Sequence, residues 1–286
     1  MRLRSRTVDT QVGQLDVLVW DAVEPLPGRQ PVPTVLALHG FPESAHEWRP
    51  VAEILTRNGV RVVAPLQRGY SPGARPAEVG DYAIERLTED VLAVAAQLEL
   101  GTFHLLGHDW GASVAWWLAA HRPTELASLT AVSVPHLGAF ADAVATDPDQ
   151  QQRSAYFALF RQQGNAEDVL LEGGARRLRE MFAGDVPEEL VAEHLNVVGI
   201  RAGLTGALNW YRAMRRYELP DVAVPTTFVW GDRDMAIARS GAEATASRMA
   251  ADYRFVPVRG GGHWLPEQYP ELISEEVLAR IRRSTA

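Results

Sequence analysis

Residues 103–121 place the tightest constraint on the fold. Phe103-His104-Leu105-Leu106 is a short apolar strand, and residues 112–121 are a helical run rich in Ala, Trp and Leu. Between them lies Gly107-His108-Asp109-Trp110-Gly111. A strand that turns straight into a helix crowds its own backbone, so small residues are needed two positions either side of the turn. Gly107 and Gly111 supply them. Asp109 takes the apex, where the N-terminal N–H groups of the helix favour a negative charge.

The rest of the chain supplies a matching frame. Leu15 to Trp20 alternates like an edge strand, and Thr34 to His39 is nearly continuous apolar, like a buried one. A helix is expected over 47–58, stopped by Gly59, then a strand over 60–64 and a long helix over 82–100. A strand over 129–134 follows the elbow. Strand and helix alternate as in a parallel α/β sheet. From 136 to 217 the alternation stops, and only helices are expected, over 149–163, 175–183, 188–198 and 204–216. It resumes with strands over 226–230 and 253–258 and a last helix over 270–283. The expected organisation is a core in two parts, 1–135 and 218–286, interrupted by a helical insert over 136–217 of a size suited to a lid.

The chemistry turns on what sits at the apex. A serine there must lose a proton before it attacks, whereas an aspartate is already an anion at neutral pH. It can displace a leaving group from saturated carbon and be left as an ester. Asp109 therefore points away from esterases and towards epoxide opening or halide removal. Composition removes several rivals. With no cysteine, thiol nucleophiles, disulfides and cysteine-ligated metals are excluded. All 28 basic residues are arginine, so Schiff-base, pyridoxal-anchoring and P-loop lysines are excluded too. A net charge of −8 argues against a nucleic-acid surface. The first residues lack an apolar targeting segment and no stretch approaches a membrane span, so a cytoplasmic protein is expected.

Two further segments complete a constellation. His39-Gly40-Phe41-Pro42 follows the buried strand, and the N–H groups of Phe41 and Trp110 are candidates for an oxyanion hole. Gly231-Asp232-Arg233-Asp234 follows the strand ending in Trp230. Asp234 is the preferred partner for a histidine because the Gly-x-x-Asp spacing carries its side chain past the turn, and Asp232 reads as a turn residue. Gly260-Gly261-Gly262 makes a flexible loop that can bring His263 over the sheet edge. Asp109, Asp234 and His263 thus occur in the order nucleophile, acid, histidine. The remaining histidines lack this context, and none shows a metal-ligand spacing.

These residues resemble the α/β-hydrolase superfamily, and specifically its epoxide hydrolase branch, over nearly the full length. The resemblance rests on His39-Gly40-Phe41-Pro42-Glu43-Ser44, Gln67-Arg68-Gly69-Tyr70-Ser71, Gly107-His108-Asp109-Trp110-Gly111 and Gly262-His263-Trp264. It implies the α/β-hydrolase fold, a mostly parallel sheet flanked by helices, with a helical cap inserted after the strand that follows the elbow. The first and third motifs occur in related dehalogenases as well. Two cap segments distinguish the branch: residues 156–164, followed by Ala166-Glu167, and residues 206–212. They imply that Tyr156 and Tyr211 hold the epoxide oxygen. An alkoxide is a poor leaving group that needs an acid, and a phenol stays protonated at neutral pH. The resemblance implies catalysis by Asp109, Asp234, His263, Tyr156 and Tyr211 on a small apolar epoxide and water, with no cofactor and no metal. Phe41, Trp110, Phe157, Trp210 and Trp264 suggest an aromatic-lined pocket. A haloalkane or haloacetate dehalogenase is the alternative, and a non-catalytic hydrolase-fold binding protein a remote one. The sequence leaves monomer and homodimer open.

Overall fold

A computed structural model describes residues 2–23, 32–182 and 184–284. Its core is one eight-stranded sheet in the order β1-β2-β4-β3-β5-β6-β7-β8. The strands are β1 Arg2–Thr10, β2 Gly13–Asp21, β3 Thr34–Leu38, β4 Arg61–Pro65, β5 Phe103–His108, β6 Leu126–Val132, β7 Thr226–Gly231 and β8 Tyr253–Val258. β1 pairs antiparallel with β2, and β2 antiparallel with β4. Every pairing from β4 across to β8 is parallel. β3, β5 and β7 are buried at every position, as strands covered by helices on both faces must be.

Twelve α-helices are described. The core carries α1 Arg49–Arg57, α2 Ile84–Gln97, α3 Trp110–His121, α10 Arg239–Ala244, α11 Leu265–Gln268 and α12 Pro270–Ser284. The segment from β6 to β7 carries α4 Leu137–Thr146, α5 Pro148–Arg153, α6 Phe157–Phe160, α7 Asn165–Met181, α8 Glu188–Val198 and α9 Arg201–Ala213. α8 and β8 have the bounds expected from sequence. Others differ for identifiable reasons. The helix expected over 149–163 is broken at Ser154–Tyr156, where buried Gln150 hydrogen-bonds the Ser154 hydroxyl, the Ala236 carbonyl and the Ala238 N–H. α7 is two helical stretches joined across a kink at residues 172–175, where Gly173, Gly174 and Ala175 are left-handed, so the stop expected at Gly173-Gly174 is present. Ala183, the end of the helix expected there, lies outside the described residues. β1 went unread because its Arg2, Arg4 and Arg6 look like a basic patch, although they extend an edge strand that is exposed on both faces.

The insert is fastened to the core by close backbone approach. A side chain on Gly206 of α9 would bring its Cβ within 2.5 Å of the Gly69 carbonyl oxygen. The Trp210 indole N–H, one turn further along α9, donates to the Arg68 carbonyl at 2.9 Å. Arg68 is itself buried and bound through two nitrogens to Asp90, at 2.8 and 2.7 Å. No described helix is long and apolar enough to cross a membrane.

Candidate active site

β3, β5, β7 and β8 run parallel, so the residues that follow them collect along one edge of the sheet, where open α/β sheets build their sites. Asp109 follows β5 and caps α3 with φ +48° and ψ −117°. Such a backbone costs on the order of 1–3 kcal/mol and persists only where its surroundings force it. Here they do. A Cβ on Gly111 would stand 1.9 Å from the Leu38 carbonyl oxygen, and one on Gly107 2.5 Å from that of Gly111. Gly40 is equally constrained, because its Cβ would lie 2.5 Å from that of Asp109.

The loop after β8 brings His263 to Asp109. His263 Nε2 lies 3.4 Å from Asp109 Oδ2, and Nδ1 lies 2.9 and 3.0 Å from the two oxygens of Asp234. Asp234 is buried, and its Oδ1 also accepts the N–H groups of Ala236 at 2.7 Å and Ile237 at 3.0 Å. Asp232 stays in the turn and accepts the Gly260 N–H at 2.7 Å. Burial pushes the His263 imidazole down, but the carboxylates of Asp234 and Asp109 outweigh it and hold the ring well above its ordinary value. The ring thus lies between two carboxyl groups, Nε2 facing Asp109 and Nδ1 facing Asp234. Its carbonyl is pinned by the Ser133 hydroxyl at 2.7 Å and by His108 Nε2 at 2.9 Å.

The two oxygens of Asp109 differ. Oδ1 accepts the Phe41 N–H at 2.9 Å, whereas Oδ2 faces His263. Trp110 opens α3, so its N–H is among those a helix leaves without an internal partner. Opposite Asp109 stand Tyr156 and Tyr211, with ring centroids 6.2 Å apart. Burial, reinforced by the Asp109 charge, raises both phenols above their ordinary value and keeps them protonated.

Two cavities meet at this point. One of about 240 Å³ is lined by Phe41, Asp109, Tyr156, Tyr211, His263 and Trp264 among others. A narrower one of about 30 Å³ shares Asp109, Tyr156, Tyr211 and Ala236 with it and adds Trp110 and Phe157. Through Leu137, Phe140, Phe157, Met214 and Tyr217 the narrow cavity continues into an outer groove of about 690 Å³. Trp210 departs from its expected place in the lining. It is turned away, with its N–H on the Arg68 carbonyl and its ring packed edge-on against Trp110 at 5.7 Å. Phe160, Leu170, Met181, Met235 and Phe140 line the cavities although nothing in the sequence singled them out.

Behind the loop of His263 lies a second group that sequence spacing does not reveal. His108 Nδ1 stands 2.8 Å from Glu43 Oε2 and 3.2 Å from Glu47 Oε2, and all three residues are buried. His194 Nε2 stands 3.5 Å from Glu267 Oε1, and its Nδ1 accepts the Ser44 N–H at 3.2 Å. Burial pushes the Glu43 carboxyl up, but the His108 charge and hydrogen bonds from Glu47 and Glu267 bring it below the ordinary range. Burial and the Glu43 charge raise Glu47 and Glu267 well above it. Burial lowers His194 to about 3. One ligand atom each from Glu43, Glu47 and His108 lies within 4.8 Å of the others, close enough to frame a small cation.

A family model described as the alpha/beta hydrolase fold matches residues 33–270. The chain is 31% identical over 264 residues to the AB hydrolase superfamily protein YfhM of Bacillus subtilis, covering 89% of this chain and 92% of that one. It is 30% identical to Epoxide hydrolase A of Mycobacterium tuberculosis, covering 96% and 95%. Among solved structures, an epoxide hydrolase from metagenomes of hot environments superposes with a TM-score of 0.84 at 26% identity, covering 100% and 99%. Epoxide Hydrolase A of Mycobacterium thermoresistibile gives 0.82 at 25% identity, covering 98% of each chain.

Proposed function

The chain belongs to the α/β-hydrolase fold family, in its epoxide hydrolase branch, and from that premise we propose that it converts an epoxide and water to a vicinal diol through a covalent ester on Asp109. The observation that carries this reading is the pair of protonated phenols, Tyr156 and Tyr211, on the wall facing a carboxylate. A halide leaves without a proton, whereas an epoxide oxygen needs one. The helical segment 136–217 serves as the cap that supplies both phenols, and the enzyme works in the cytoplasm.

Oδ2 of Asp109 attacks one ring carbon from the back while Oδ1 stays on the Phe41 N–H. The carbon–oxygen bond of the epoxide breaks, and its oxygen takes a proton from one of the tyrosines. Esterification neutralises Asp109 and so removes one of the two carboxylates that hold the His263 proton. The imidazolium then gives up that proton, which restores the phenol, and becomes the base for the second step. A water loses a proton to His263 and attacks the carbonyl carbon of the ester. The N–H groups of Phe41 and Trp110 receive the oxyanion. Collapse breaks the ester bond, the diol oxygen takes a proton from His263, and the new carboxylic acid returns the imidazole to its charged form. Asp234 keeps the ring oriented throughout.

Removal of the base isolates the intermediate. His263→Ala mixed with an epoxide should accumulate an adduct on Asp109 with the mass of the whole epoxide, because general-base help is typically ~10²–10⁴-fold and only the second step needs it. Intact-protein mass spectrometry with a panel of epoxides and haloalkanes decides the matter. An alkyl adduct lacking halogen, formed from haloalkanes alone, would make the chain a dehalogenase.

A further inference from the structure

The larger cavity beside Asp109 has one charged residue that no step of the reaction uses. Arg177 lines it, on the part of α7 that follows the left-handed kink at Gly173, Gly174 and Ala175. Its neighbours in the same run are engaged: Arg176 faces Glu180 at 3.8 Å, and Arg179 pairs with Glu188. The arginines of the outer groove are engaged as well. Arg161 donates to the Tyr211 carbonyl at 3.2 Å, Arg215 pairs with Glu85, and Arg216 lies 3.3 Å from Asp142. Arg177 has no hydrogen-bond or ion-pair partner among the described residues. Apart from the catalytic groups, the wall it shares is apolar, formed by Phe41, Phe160, Leu170, Met181, Met235 and Trp264.

Resting on the epoxide hydrolase reading, we propose that this cavity is a subsite for an anion, so that the substrate is an epoxide whose apolar arm ends in a carboxylate or similar charge held by Arg177. An apolar wall with one cation at its edge suits an amphiphile. The methylene arm displaces water from the wall, and the charged end keeps part of its hydration while it accepts a charge-assisted hydrogen bond from the guanidinium fork. A neutral arm of the same length gains the first contribution and lacks the second. The kink in α7 matters because it sets the direction in which Arg177 leaves the helix.

The discriminating measurement compares a medium-chain epoxy carboxylate with its own carboxamide, and both with styrene oxide. The wild-type enzyme should favour the carboxylate over the carboxamide in kcat/KM by roughly tenfold, between the worth of an exposed ion pair and that of a charged hydrogen bond. Arg177→Gln should bring that ratio close to one, and Arg177→Lys should restore much of it. Added salt should erode the wild-type preference, because a pair at a cavity mouth is screened. Equal turnover of carboxylate and carboxamide by wild type, or an unchanged ratio in Arg177→Gln, overturns the subsite while leaving epoxide hydrolysis standing. Failure to turn over all three epoxides overturns the hydrolase reading, and the subsite with it.

Discussion

At the scale of single residues, the proposed mechanism divides the work of the site between groups that must keep a proton and one that must lose it. Tyr156 and Tyr211 keep theirs because burial and the Asp109 charge both oppose a phenolate. Two carboxylates face His263 and favour its protonated form, and on the proposed mechanism esterification of Asp109 removes one of them. The division separates two kinds of variant. Tyr156→Phe combined with Tyr211→Phe should slow formation of the covalent adduct by ~10²–10⁴-fold, the usual worth of a general acid. Stopped-flow reading of adduct formation in a His263→Ala background tests this, and an unchanged rate would remove the tyrosines from the mechanism. The residues of this constellation were legible because three of them sit in glycine-punctuated turns after strands. Asp234 could be preferred to Asp232 on spacing, and the geometry has a physical basis: only Asp234 lies past the turn, where two backbone N–H groups fix its carboxylate. Trp210 was misplaced because an aromatic residue next to Tyr211 on a helix points about a quarter-turn away, here onto the Arg68 carbonyl.

At the scale of elements, legibility followed punctuation. α8 and β8 have clear stops on either side and continuous patterns between them, and their ends were read to the residue. Gly173 and Gly174 do mark a break, the left-handed kink that divides α7. Gly203 is the exception: local propensity treats it as a breaker, whereas it lies inside α9. Gly206 lies inside α9 because the helix must touch the backbone of Gly69. The touch has a measurable consequence. Gly206→Ala gains helix propensity of about 0.8–1 kcal/mol. Against this, the new Cβ would lie 2.5 Å from the Gly69 carbonyl, and overpacking of that kind costs about 1–3 kcal/mol. Relief comes by lifting α9, which carries Tyr211 little more than a turn away. Epoxide opening should therefore fall by a larger factor than the folding constant, as seen by comparing kcat/KM with the denaturant midpoint. A large loss of stability with normal turnover would show that α9 does not set the position of Tyr211.

At the scale of the whole molecule, the buried group around Glu43 joins parts of the chain that no local pattern connects. Glu43 and Glu47 follow β3, His108 ends β5, His194 belongs to α8 of the insert and Glu267 to α11. No spacing could reveal it, because its members meet only when the sheet closes and the insert docks. Its charges make stability depend on pH in a definite direction. Glu47 and Glu267 have folded values well above the ordinary carboxylate range, so the folded state keeps protons that the unfolded chain releases. That contribution is complete below the unfolded value and is lost as pH rises towards the folded ones. Glu47→Gln with Glu267→Gln cannot release those protons. Its melting temperature relative to wild type should climb between about pH 5 and pH 8, and a flat difference across that range would count against two protonated acids. Two cavities meet at Asp109, the nucleophile of the proposed reaction. Back-side attack inverts the carbon it strikes. For an epoxide with one arm in each cavity, exchanging the arms would present the other ring carbon to Oδ2, and attack on the other carbon of one enantiomer gives the opposite diol. The handedness of the product is thus decided by which cavity accepts which arm, and walls that never touch the reacting atoms act as the chiral selector.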